Sequence, residues 1–79
     1  MMHNPKRRFL VCYIDPKTGR ERIGSGPHAQ TVARYSNVNN VIRYFLSQDH
    51  FPAGQYNIYP WPEGSRPLTA YKRTAYKRS

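Results

Sequence analysis

The most continuous hydrophobic block of the chain is Phe9–Ile14, FLVCYI. It is short and rich in β-forming residues, which suits a strand buried on both faces better than a helix and predicts a central place in a sheet. Asp15-Pro16-Lys17-Thr18-Gly19 follows, with Asp to open a turn, Pro to fix φ and Gly to take a positive φ. A hairpin is expected there. Its return strand, Arg20 to about Ser25, would place Arg20 and Arg22 on one face and Glu21 and Ile23 on the other.

Gly24-Ser25-Gly26-Pro27-His28 interrupts the pattern, and two readings of the next stretch compete. In one, Gln30–Tyr35 (QTVARY) is a third strand and Ser36 or Asn37 caps a helix running to about Gln48. In the other, a single helix begins near Pro27. Both contain the stripe Val38, Val41, Ile42, Phe45 and Leu46 at i, i+3, i+4, i+7 and i+8, and the cap pair and usual helix length favour the first. Beyond Asp49–Gly54, the alternation of Gln55–Tyr59, with Tyr56 and Ile58 on one side, predicts a last strand that Pro60 and Pro62 stop. Trp61 is expected to pack back on the core, with an exposed stacking ring as the alternative.

These elements predict an α+β fold: a small antiparallel sheet of three or four strands with one helix on one face, in the order β-β-(β)-α-β, flanked by basic disordered termini. The expected division is a basic arm over 1–8, one domain over 9–62 and a flexible Tyr-containing tail over 63–79. A domain of that size lies near the lower limit for unaided folding. With one cysteine, Cys12, an intrachain disulfide is excluded, and its apolar surroundings predict a buried thiol in an intracellular protein. The longest apolar run is far shorter than a membrane span or a signal sequence needs, so membrane insertion is not expected, although a basic tail could meet anionic lipid.

Charge changes the picture most. The formal net charge is +9, and it is concentrated at the ends: residues 1–8 hold Lys6, Arg7 and Arg8 with no acid, and residues 65–79 hold Arg66, Lys72, Arg73, Lys77 and Arg78 with no acid. The last eleven residues are a tandem repeat, TAYKR-TAYKR, closed by Ser79. Each copy joins one ring to two cations, a composition suited to a phosphate backbone and to base stacking. Basic ends that serve solubility alone are the plainer alternative.

The candidate nucleic-acid-binding residues are therefore Lys6, Arg7, Arg8, Arg20, Arg22, Arg66, Tyr71, Lys72, Arg73, Tyr76, Lys77 and Arg78, with Arg34 joining Arg20 and Arg22 if the third strand forms. The order hairpin, strand, helix is similar in layout to modules that lay a three-stranded sheet in the DNA major groove, such as integrase arm-binding and plant AP2-type domains; no signature motif of either accompanies it. The likeness is one of layout alone, and no base contacts are carried over from it. Sequence alone leaves DNA and RNA both open, with the Tyr-rich tail tilting toward unpaired strands.

No catalytic constellation stands out. Asp49-His50 could in principle act as an acid–base pair in RNA cleavage, but a His near a helix C-terminus is explained by the helix dipole. Neither metal-ligand spacing nor a phosphate loop is present, so no metal and no cofactor are expected. The leading expectation is a non-enzymatic nucleic-acid-binding protein. The alternatives are an adaptor or inhibitor that binds an acidic protein through its neutral core, with tyrosines and Trp61 as anchors, and, more remotely, a small ribonuclease or toxin using His50. An open sheet edge would permit dimerisation.

Overall fold

A computed structural model gives the fold, and it describes residues 6–62 and 66–74. Four strands form one antiparallel sheet: β1 (Arg7–Tyr13), β2 (Gln30–Tyr35), β3 (Gly54–Pro60) and β4 (Thr69–Arg73), in spatial order β2-β1-β3-β4. The helical segment between β2 and β3 is an α-helical turn, α1 (Val38–Asn40), that passes directly into a π-helical turn, Val41–Phe45. This is the α+β architecture expected from the hydrophobic pattern.

The FLVCYI block is central, as its continuous apolarity requires. Phe9, Val11 and Tyr13 point to the helix side of the sheet and Leu10 and Cys12 to the other, with β2 on one flank and β3 on the other. QTVARY is a strand, and Asn37 caps the helix, its side chain accepting the Asn40 N–H at 2.9 Å. The expected stripe packs on the sheet: Val41 and Leu46 are fully buried against Phe9, Val11, Ala33 and Ile58, with Val38, Ile42 and Phe45 beside them. One turn is widened, the Leu46 N–H donating to the Val41 carbonyl, i to i+5.

Edge-to-face and tilted rings link the helix to the sheet. Tyr35–Phe45, Phe45–Phe51, Phe51–Tyr56 and Tyr56–Tyr13 have centroids 5.9, 4.8, 6.2 and 5.3 Å apart, within the range that such pairs favour. Gly54 opens β3 at φ +145°, where a Cβ would come within 2.9 Å of the Tyr13 ring. This position therefore tolerates no side chain.

Several expectations are corrected. The Asp15–Gly19 turn forms, with Gly19 at φ +73° and the Asp15 N–H donating to the Arg20 carbonyl at 2.7 Å, but the return strand ends after a single bridge, Ile14 with Glu21. Gly24 and Gly26 both adopt positive φ and turn the chain away, Ile23 stands 94% exposed, and β2 takes the place beside β1. The hairpin-strand-helix layout of the major-groove modules is thus not the one this chain builds. The helix also stops at Phe45 rather than near Gln48.

The basic ends differ as well. Arg7 and Arg8 begin β1 instead of belonging to an arm. The first TAYKR copy is β4, paired with β3 from Gly54↔Arg73 to Ile58↔Thr69, so the segment expected to be a flexible tail beyond residue 62 supplies the fourth strand. The second copy, apart from Thr74, lies outside the described residues.

Candidate nucleic-acid interface

The helical segment covers one face of the sheet and leaves the other open. Strand alternation and register place three rows of side chains across that open face. At one end lie Arg34 of β2, Arg8 of β1 and, just beyond β3, Trp61, whose N–H donates to the Arg8 carbonyl at 3.0 Å. The next row is Val32, Leu10 and Tyr59, and the third is Gln30, Cys12, Asn57 and Ala70.

Arg8 and Arg34 are direct cross-strand partners, and both are exposed. Their Cβ atoms are therefore on the order of 5 Å apart, a like-charge placement that costs stability in the free protein. Neither forms an ion pair among the described residues. Lys6 is exposed where β1 begins, Arg7 is exposed on the helix side opposite Tyr35, and Arg66 lies exposed in the β3–β4 connection at the same end of the sheet. Lys72 is exposed on the open face of β4, toward the other end. Lys6, Arg8, Arg66 and Lys72, with Arg34, are thus available to a ligand on this side of the sheet.

The remaining candidates are used differently. Arg20 is exposed in the turn at the far end, and Arg22 is engaged, its Nε 3.6 Å from Asp15 Oδ2 and its guanidinium 5.0 Å from the centroid of the Tyr13 ring. Asp15 is itself fixed by the Lys17 N–H, which holds its carboxyl below the ordinary range with help from Arg22. The expected basic strand face of Arg20, Arg22 and Arg34 therefore does not form; Arg34 stands with Arg8 instead.

Tyr71 packs against the core on the helix side, and Arg73 is 8% exposed. The Arg73 guanidinium donates to the Leu46 carbonyl at 2.7 Å and the Gln48 carbonyl at 3.2 Å, satisfying groups that the end of the helix leaves open. Both residues serve the fold. Tyr76, Lys77 and Arg78 lie outside the described residues.

Among the described residues, the acid on the open face is Glu21. Its bridge with Ile14 brings the side chain over Cys12 to β3, where Oε2 accepts the Asn57 Nδ2–H at 2.8 Å and the Tyr59 hydroxyl. The carboxylate pushes the Tyr59 hydroxyl up to about 12 by accepting its proton in that hydrogen bond, with burial assisting, so Tyr59 remains a donor at neutral pH. Burial, aided by Glu21, pushes the Cys12 thiol up to about 11 despite a hydrogen bond to Gln30. Native protein is therefore expected to leave Cys12 unmodified by iodoacetamide at neutral pH and to react fully in urea, read by mass spectrometry. Rapid native labelling would contradict this placement.

Trp61 does not close the core as expected. It is 40% exposed at the rim of a cleft of about 270 Å³ on the open face, which Leu10, Cys12, Glu21, Gln30 and Tyr59 also line. Sequence reasoning missed Glu21, Gln30 and Tyr59 as a group because only the register brings them together.

No protein-family model, curated protein or solved structure matches this chain.

The histidines and Asp49 do not converge. His50 is exposed with its ring 4.4 Å from Phe51, His28 is exposed at 6.3 Å from Tyr13, and Asp49 makes no hydrogen bond to either among the described residues. No group of three His, Cys, Asp or Glu side chains that could hold a metal occurs among the described residues. No described helix is long and apolar enough to cross a membrane.

Proposed function

We propose that this chain is a non-enzymatic nucleic-acid-binding protein whose contact surface is the open face of the sheet, at the end where Arg34, Arg8 and Trp61 form one row. The supporting observation is that row: two guanidiniums held side by side, without an ion pair among the described residues, next to an indole 40% exposed. A like-charge pair in a marginally stable domain is understandable if a polyanion neutralises it on binding. Lys6, Arg66 and Lys72 extend the positive surface along the phosphates, and the net charge of +9 speeds encounter. Lys77 and Arg78 add two further cations from the second TAYKR copy.

Phosphate contacts supply affinity in this scheme, and they release counterions. On single strands, log affinity is expected to fall against log salt by roughly 0.7 for each phosphate neutralised, and by roughly 0.9 on duplex. Arg8→Ala and Arg34→Ala should each weaken binding and flatten that slope by about one contact. Fluorescence anisotropy of labelled oligonucleotides over a salt series measures both effects. Absence of binding at physiological salt, or slopes unaltered in the two variants, would overturn the assignment and turn the search toward an acidic protein partner.

A further inference from the structure

The cleft beside the arginine pair has the makings of a selective pocket. Leu10 and Tyr59, both half-buried, give it an apolar floor, and Trp61 forms one wall. Glu21 and Gln30 provide the polar side. Its volume of about 270 Å³ falls just below the roughly 300–1,000 Å³ typical of drug-sized ligands, which suits a single flat ring system.

The carboxylate is oriented in advance. Asn57 and Tyr59 both donate to Oε2, fixing the rotamer, while Oε1 takes no hydrogen bond among the described residues. An ionised carboxylate only accepts, so the matching ligand edge carries an N–H donor. Anion recognition is adjacent, because Leu10 and Tyr59 directly follow the row containing Arg34, Arg8 and Trp61. A flat ring with an N–H edge, joined to a phosphate a few ångströms away, is a nucleotide.

We propose that this cleft holds one unpaired nucleobase, stacked on Trp61 with its amino edge on Glu21 Oε1 and its phosphate on Arg8 and Arg34. The assignment rests on the reading of the open face as a nucleic-acid surface and adds a preference to it. Cytosine offers its exocyclic N4 amine to the carboxylate, whereas thymine and uracil place a carbonyl at that position, which an acceptor repels, and have as donor only the N3–H between two carbonyls. Duplex cannot place a base there without extrusion.

Trp61 is the single tryptophan of the chain, so intrinsic emission of the full-length protein reports on the cleft directly. Oligo(dC), oligo(rC), oligo(dT) and a duplex of equal length form the test, two pyrimidines being compared so that stacking strength differs little. Oligo(dC) should quench Trp61 and bind roughly tenfold tighter than oligo(dT), and duplex should bind through phosphates without quenching. Comparison of oligo(dC) with oligo(rC) separates DNA from RNA as the source of the base.

Glu21→Gln keeps acceptor capacity for Asn57 and Tyr59 and should bring oligo(dC) and oligo(dT) together with no change in salt slope. Trp61→Ala, read by anisotropy and checked for folding by circular dichroism, should cost single strands roughly ten- to a hundredfold and duplex little. If oligonucleotides bind with unchanged Trp61 emission, or with equal affinity for oligo(dC) and oligo(dT), the pocket assignment fails and the phosphate surface stands. If none binds, both fail together.

Discussion

Ending the chain at Leu68 is expected to abolish cooperative folding, whereas ending it at Arg73 should preserve it. The first truncation removes β4, and with it the strand pairing along the outer edge of β3, leaving there the single bond from the Leu68 N–H to the Ile58 carbonyl. Tyr56 and Ile58, two of the most deeply buried side chains, hang on that strand. Tyr71 also leaves the core and Arg73 leaves the end of the helix. Together these losses are on the order of 5 kcal/mol, comparable to the whole stability of a domain this small.

Urea denaturation followed by far-ultraviolet circular dichroism measures it. A cooperative transition at the same midpoint in the chain ending at Leu68 would show β4 to be dispensable. The distinction bears on the proposed function, because removing the whole basic tail would suppress the proposed nucleic-acid binding simply by unfolding the sheet. Only a cut after Arg73 separates the contribution of Lys77 and Arg78 from the integrity of the fold.

Arg73→Ala is expected to be the most damaging substitution among the basic residues, lowering stability by about 3 kcal/mol. The guanidinium donates to two backbone carbonyls, and deleting it leaves those acceptors under a sheet edge with reduced access to water. At roughly 4–8 °C per kcal/mol for a domain of this size, the shift in Tm is large. Arg73→Lys should recover part of the loss, since one ammonium cannot span both carbonyls in the planar geometry of a guanidinium. By contrast, Arg34→Ala should be neutral or slightly stabilising, because it removes a like-charge neighbour of Arg8. Equal destabilisation by the two substitutions would contradict the division between structural and ligand-facing arginines.

Much of the architecture was legible in the sequence because its core elements have a clear period. FLVCYI is too apolar for an edge, QTVARY alternates, and the Val38-to-Leu46 stripe can only be one face of a helix. The segment Arg20–Ser25 misled because alternating charges imitate a strand, while Gly24 and Gly26 override the pattern with positive φ. β4 was hidden for the opposite reason. An edge strand needs few apolar residues, so TAYKR reads as a charged arm even though Thr69, Tyr71 and Arg73 share one face and the first two are good β-formers.

The candidate site was legible only as an excess of charge. Which arginines face a ligand depends on register: Arg34 opposite Arg8, and Glu21 reaching across Cys12 to Asn57 and Tyr59. Those pairings are long-range in sequence. Trp61 likewise changed from a presumed core residue to the wall of a cleft because Pro60, not Trp61, falls on the core side of β3.

The strand that completes the sheet is also the first half of a perfect repeat. Excising residues 69–73 or residues 74–78 yields one and the same shorter polypeptide, ending in TAYKR and a serine. A replication slip within this part of the gene would therefore leave the edge strand intact, whichever copy it erased. After either loss, a tyrosine and an arginine still follow Leu68 at the spacing that β3 and the helix end require of Tyr71 and Arg73.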